Sequence, residues 1–208
     1  MYSNTDIIKS LNDTIIIEPF NNNQLGINSY DVCLGNTFYE VHWDKDGPFY
    51  TGPYEYKEGE RVFIPVAGTL LGMTKERVGS KGKVVTELRS RSTTRRKGIT
   101  TNCDAGLGDV GYADFWTMEF TAFVSNGLII ELLGHLDTWL TRNGLGSTYL
   151  SNIIKKRQYD RPYLIVGERV AQMVFYECKS KPLMEYSGQY KADWPLNMIP
   201  KEYRDRVK

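Results

Sequence analysis

Apolar runs of strand length, each stopped by glycine, proline, asparagine or aspartate, recur along most of this chain, and sustained helical periodicity is scarce. Such punctuation predicts a mostly β fold, a sandwich or barrel. Short alternating runs bury one face of a sheet, and the breakers turn the chain. The strand-like runs fall at residues 14–19, 29–36, 37–41, 61–71, 84–88, 163–166 and 170–176. Gly35 predicts a break between the second and third, hence a hairpin. Residues 44–60 read as polar and turn-rich. A short helix is expected through residues 6–11, capped by Thr5 or Asn4, with Asp6 in its first turn. Residues 127–161 interrupt the β pattern. Within them 128–140 is apolar and partly helix-like, and 149–157 is a candidate second helix. We read this segment as an insertion into a single domain spanning residues 1–208.

Charge narrows the partners. With 26 Lys and Arg against 25 Asp and Glu, net charge is +1, so no global field favours nucleic acid. The positive charge is local instead. Arg89, Arg91, Arg95, Arg96 and Lys97 surround Ser90, Ser92, Thr93 and Thr94, which suits a small polyanion. Cys33, Cys103 and Cys178 are too few and too scattered for a disulfide framework. No leader-like or bilayer-length apolar run occurs. A soluble, cytoplasmic protein is expected, bacterial, archaeal or in the host of a virus, with neither membrane nor nucleic acid as partner.

The basic stretch carries the first candidate site. With Ser92 as a helix N-cap, the free N–H groups of the following turn form an anion site beside the Arg91 fork. Ser92 and Arg96, four residues apart, then share one side of the helix. A solvated basic helix end is the plain alternative. Further on, residues 115–123 alternate. Trp116, Met118, Phe120 and Ala122 make an apolar face; Phe115, Thr117, Glu119, Thr121 and Phe123 make the other. A carboxylate in mid-strand is costly to bury unless paired, and Arg96 is a natural partner. Glu119 is therefore either a general base in a pocket or part of an exposed face or structural ion pair. Residues 106–112 form a glycine-rich turn in which Asp109 either meets a sugar hydroxyl or caps its own turn. The His-x-Glu and Pro-Cys-x-x-Cys of zinc deaminases are missing, so His42 and His135 are read as structural. No P-loop or dinucleotide fingerprint occurs either.

These blocks, taken in order, resemble the dCTP deaminase branch of the trimeric dUTPase superfamily. Residues 29–35 (S-Y-D-V-C-L-G) are similar to its first block. Residues 91–98 (R-S-T-T-R-R-K-G) resemble its G-R-S-S-x-x-R-x-G, with Ser90 in place of the leading glycine. Residues 105–112 (A-G-L-G-D-V-G-Y) resemble A-G-x-I-D-x-G-[FYW], and Thr117-Met118-Glu119-Phe120 resembles the following T-L-E-[FL]. Residues 167–175 are similar to a block shared with dUTPases, and Tyr186-Ser187-Gly188-Gln189-Tyr190 to the deaminase Y-x-G-K-Y.

The resemblance implies a dUTPase-like distorted β-barrel or jelly roll with a short N-terminal helix and a partly helical insertion. It implies a homotrimer with active sites shared between subunits. The implied reaction is zinc-independent deamination of dCTP to dUTP and ammonia, with Mg2+ carried by the triphosphate. The implied alternatives are a bifunctional enzyme that continues to dUMP and a catalytically inactive nucleotide-binding homologue; altered base-pocket positions add a modified cytosine nucleotide as substrate. Glu119 would activate water, held with it by Arg96, Ser92 and the Ala105 carbonyl. Arg91, Ser92 and Thr93 would bind the triphosphate and Asp109 the 3′-hydroxyl. Tyr112, Thr117, Tyr186, Gln189, Tyr190 and Lys191 complete the implied substrate site. The sequence departs from the family in Gln189 for a phosphate-binding lysine, with Lys191 as a possible substitute. Asp193 stands where a base-reading glutamine is expected, Gly108 replaces an apolar residue, and Asp104 adds an acid.

Overall fold

The computed structural model describes residues 1–65, 68–101, 105–122, 125–144, 152, 162–188, 190 and 194–208, with the backbone alone at 125–131. It is mostly β, and all its strand pairings between named strands are antiparallel. The chain opens with helix α1, Asn4–Ser10. Its cap is Ser3, earlier than the expected Thr5 or Asn4. The reason is a reciprocal pair: Ser3 Oγ accepts from the Asp6 N–H, and the Asp6 carboxylate accepts from the Ser3 N–H at 2.9 Å. Ile7 fixes the helix to the core.

Strands β1 (Ile15–Glu18), β2 (Tyr30–Asp44), β3 (Gly47–Glu55), β4 (Arg61–Phe63), β5 (Thr69–Thr74) and β6 (Arg77–Ser80) follow. Then come β7 (Val84–Ser90), helix α2 (Ser92–Arg96), β8 (Ile99–Thr101), β9 (Leu107–Gly108), β10 (Ala113–Asp114) and β11 (Thr117–Ala122). Helix α3 (Ser125–Arg142), β12 (Tyr163–Ile165) and β13 (Arg169–Glu177) complete the main elements. The principal sheet runs β8-β11-β5-β2-β13-β7-β9, with β3 also on β2, and curls into a half-barrel. Two smaller sheets, β1-β6-β10 and β12-β4, accompany it. Tyr30, Leu34, Phe38, Met118, Phe120 and Phe175, none more than 0% exposed, mark the core.

Two strand expectations are corrected. Gly35 does not break the chain into a hairpin: it lies within the continuous 15-residue β2. A Cβ there would come 2.8 Å from Met73 Cγ and 3.0 Å from the Met73 carbonyl, so the glycine serves a close approach of β5 rather than a turn. Residues 44–60 are not all turn. β3 zips along the outer half of β2 from Thr37↔Glu55 to Asp44↔Gly47, and cross-strand pairing overrides the weak propensity of its Gly and Pro residues. The expected run at 61–71 is divided between β4 and β5. The helix expected at 128–140 is α3, which starts at Ser125 and exposes Leu132, Leu136 and Trp139. The candidate helix at 149–157 lies outside the described residues, save Asn152.

Residues 194–208 return to the β2–β3 hairpin. Met198 and Ile199 join Tyr39, Tyr50 and Leu71 in a second buried cluster. Val207 bridges to Tyr50, and Arg206 donates to Asp44 Oδ1 and the Asp46 carbonyl, both at 2.6 Å. His42 is structural in this hairpin, stacked on Phe49 and bonded to Thr51 Oγ1 at 3.1 Å. Met198→Ala is expected to cost about 2–5 kcal/mol. Hydrogen exchange should then accelerate in the tail and β3 while β7 and β13 stay protected; uniform acceleration would show that the tail is not a separate unit.

Candidate active site

The alternation of β11 builds the site. Trp116, Met118 and Phe120 point into the core, each 6% exposed or less, and the Trp116 indole is tied to the Val78 carbonyl at 2.8 Å. Thr117 and Glu119 are thereby turned to the opposite face. In the ladder Glu119 lies across from Leu71 and Thr117 across from Met73. Over this face opens a pocket of about 610 Å³ lined by Ala105, Asp109, Tyr112, Thr117, Glu119, Tyr186 and Tyr190. Seven of the residues implicated by sequence thus meet in one cavity. Its size suits a small-molecule ligand.

Glu119 is reachable by solvent through the mouth of the pocket, yet protein surrounds it on enough sides for burial to push its carboxyl above the ordinary range. Burial also raises the Tyr112 phenol, whose hydroxyl donates to the Phe115 carbonyl at 2.6 Å. Tyr112 packs edge-on against Trp116 and Tyr186, with ring centres 5.3 and 5.4 Å apart. Tyr186 is set in place by its own N–H, which donates to the Val110 carbonyl at 2.7 Å, and its hydroxyl accepts from the Tyr190 N–H at 3.3 Å. The turn at 109–112 permits this: Gly111 has φ +95°, and a Cβ on it would come 2.6 Å from Glu185 Cβ. Asp109 is exposed at the rim of the same turn. Gln189 and Lys191 lie outside the described residues, as does Asp193.

The basic segment is elsewhere. Arg91, Ser92, Thr93 and Arg96 do not line the pocket. Ser92 is the first residue of α2 rather than its cap; Arg91 holds that position, without a side-chain cap bond. Thr94 Oγ1 donates to the Val170 carbonyl at 2.9 Å and locks α2 onto β13. Arg91 is occupied: its Nε lies 3.1 Å from Asp31, which Arg169 also approaches at 3.4 Å. Burial raises the Asp31 carboxyl, and the two guanidinium groups oppose that shift. Ser92, Thr93 and Arg96 are exposed, and among the described residues no ion pair joins Arg96 to Glu119. Among the described residues the expected pairing is thus not found within one chain: β8, β9 and β10 separate α2 from β11 in sequence, and Arg96 does not line the pocket that Glu119 lines. The described lining of the pocket holds two carboxylates and no cation. Among the described residues no cluster of His, Cys, Asp or Glu is grouped to hold a metal ion.

Sequence reading missed part of the wall. Tyr50 and Leu71 come from the sheet, and Trp194, Asn197 and Met198 from the returning tail. Trp194 is anchored by its Nε1 to Asp114 Oδ1 at 3.1 Å and packs edge-on against Phe115. The apolar Leu196, Met198 and Ile199 were the available signal that the tail packs down. The structure also accounts for Gly108. A Cβ there would meet the Trp116 ring at 2.4 Å, so the indole fills the volume that a side chain at 108 would take. Gly108→Ala should cost about 1–3 kcal/mol by overpacking. Trp116→Phe should relieve it in a double-mutant melt, and additive losses would refute the coupling.

The comparisons agree with this architecture. The family model described as dCTP deaminase-like matches residues 1–132. A Clostridium botulinum (Alaska E43) protein named "dCTP deaminase, dUMP-forming" is 34% identical over 123 residues, spanning 56% of this chain and 68% of that protein. A Clostridium beijerinckii protein of the same name is 36% identical over 123 residues, with the same shares. Among solved structures, a 2′-deoxycytidine 5′-triphosphate deaminase from Agrobacterium tumefaciens superposes with TM-score 0.52 at 12% identity. That match covers 84% of this chain and 46% of the other, and it shows the fold alone.

Proposed function

We propose that this chain, which belongs to the dCTP deaminase-like family, deaminates dCTP hydrolytically and carries the product on to dUMP. The observation that supports it most is Glu119, a carboxyl raised by burial on the wall of an aromatic pocket. A base with a raised pKa takes a proton from water more readily at neutral pH than an ordinary glutamate does. The water adds through oxygen to C4 of the base, and Glu119 receives its proton. Returned to the 4-amino nitrogen, that proton lets the C4–N bond break. Ammonia leaves, the proton of the new C4 hydroxyl passes to N3, and the uracil O4 carbonyl forms. The continuation to dUMP is favoured over the dUTP endpoint expected from the sequence because the similar clostridial proteins are named dUMP-forming. In that second step Asp109, at the rim, serves hydrolysis of dUTP to dUMP and pyrophosphate. Mg2+ enters with the triphosphate as part of the substrate.

Charge supports a shared site. The described walls of the pocket carry two carboxylates and no cation, and a triphosphate cannot be held against them without positive charge. Among the described residues, the exposed Ser92, Thr93 and Arg96 of α2 offer an anion-binding surface. We take the working form to be a homotrimer in which α2 of one subunit faces the Glu119 pocket of the next, within a single domain of residues 1–208.

Product analysis tests the reaction. dCTP should give ammonia, pyrophosphate and dUMP. Accumulation of dUTP would restrict the enzyme to deamination, and no product from dCTP or dUTP would turn the assignment to a modified cytosine nucleotide or to a binding protein. Glu119→Gln should lower ammonia release by at least a hundredfold. The pH dependence has a definite sign. With the folded pKa raised above 4.5, log kcat/KM falls as pH drops through the raised value. Ionisation of Glu119 costs stability as pH rises through the same interval, so Glu119→Gln should melt higher than the native protein at neutral pH, with the gap closing in acid. Mixing inactive Arg96→Ala and Glu119→Gln subunits should restore part of the activity; a mixture as inactive as its components would place both residues in one subunit's site.

A further inference from the structure

The short 3-10 helix Leu196–Met198 adds to the pocket wall a residue that the reaction above does not use. Asn197 is 2% exposed, and among the described residues neither its Oδ1 nor its Nδ2 has a hydrogen-bond partner. Buried side-chain amides are almost always paired, since each unpaired donor or acceptor carries its full desolvation penalty. Met198, the next residue, packs in one cluster with Leu71, and Leu71 lies across the ladder from Glu119. Asn197 therefore belongs to the wall of the same cavity as the proposed base.

We propose that Asn197 is a specificity-determining residue that reads the edge of the pyrimidine base; the assignment rests on the nucleotide reading above. A carboxamide sets an N–H donor beside a C=O acceptor. Cytosine presents its 4-amino donor beside the N3 acceptor, and uracil presents the O4 acceptor beside the N3–H donor. Turning the amide through about 180° exchanges its two ends, so one side chain pairs with the base that enters and with the base that deamination leaves. A carboxylate or an ammonium has only one kind of group to offer and cannot serve both. The amide is also neutral, so it adds no charge to a cavity that already holds Glu119 and Asp109. Among the described residues the carboxamide is unpaired, and a base in the pocket would supply its partners.

Asn197→Leu and Asn197→Ala separate this role from a structural one. KM for dCTP and for dUTP should rise together by about tenfold or more, the loss of one or two hydrogen bonds, with kcat changed less. In the Glu119→Gln background, Kd for dCTP should weaken by the same factor while Kd for inorganic tripolyphosphate stays unchanged. The Asn197→Leu protein should melt no lower than the native one, because it removes an unpaired buried amide. A lower melting temperature in both variants with an unaltered Kd for dCTP would make Asn197 structural and overturn the proposal. A rise in KM for one nucleotide alone would overturn the two-way reading. If the native protein turns over neither nucleotide, the proposed function fails, and the Kd comparison between dCTP and tripolyphosphate still decides whether Asn197 reads a base.

Discussion

The site depends on the two-residue period of β11. Trp116, Met118 and Phe120 have to reach the core for the half-barrel to close, and that burial fixes the side of the sheet on which Glu119 stands. A slip of one residue would put the carboxylate among Phe38 and Leu70 and leave the indole in water. The energy that sets the register is therefore hydrophobic, while what it positions is chemical. β5 and β8 flank the strand and hold it from both edges.

Around that strand the charges are separated. The pocket holds the acids, and α2 holds exposed cations on a helix fastened to β13 by Thr94. Arg91 has been withdrawn into a pair with Asp31, which makes it a strut between β2 and α2. The remaining wall comes from sequence far away. The tail crosses from Trp194 to Met198 over the face that Leu71 and Tyr50 expose, and the same apolar contacts that dock it also shape the cavity.

Much of this was legible in the chain itself. The alternation from Phe115 to Ala122, the glycine turn before it and the helix expected at 128–140 each follow a local rule, and each is found at or near its place. Gly35 and β3 were misread because a close approach between strands and a long-range ladder decide them, and neither leaves a local mark. The separation of Arg96 from Glu119 was illegible for a related reason. Helical spacing states which residues share a turn, whereas the direction in which a whole helix faces depends on what it packs against. Asn197 was invisible because its interest lies in an absence of partners, which only a packed structure reveals.

Gly108 and Trp116 have a consequence for how such a sequence can change. Since the indole occupies the space of a side chain at 108, the two positions trade volume. A lineage carrying an apolar side chain there cannot acquire the tryptophan first, because the ring would have nowhere to go. Losing the side chain first leaves a hole that a later tryptophan fills, and a hole is the milder defect when neighbours can relax into it. The order of substitutions is thus constrained by sterics, and intermediates along the permitted route would have a slightly enlarged pocket, since Trp116 and Gly108 both line it.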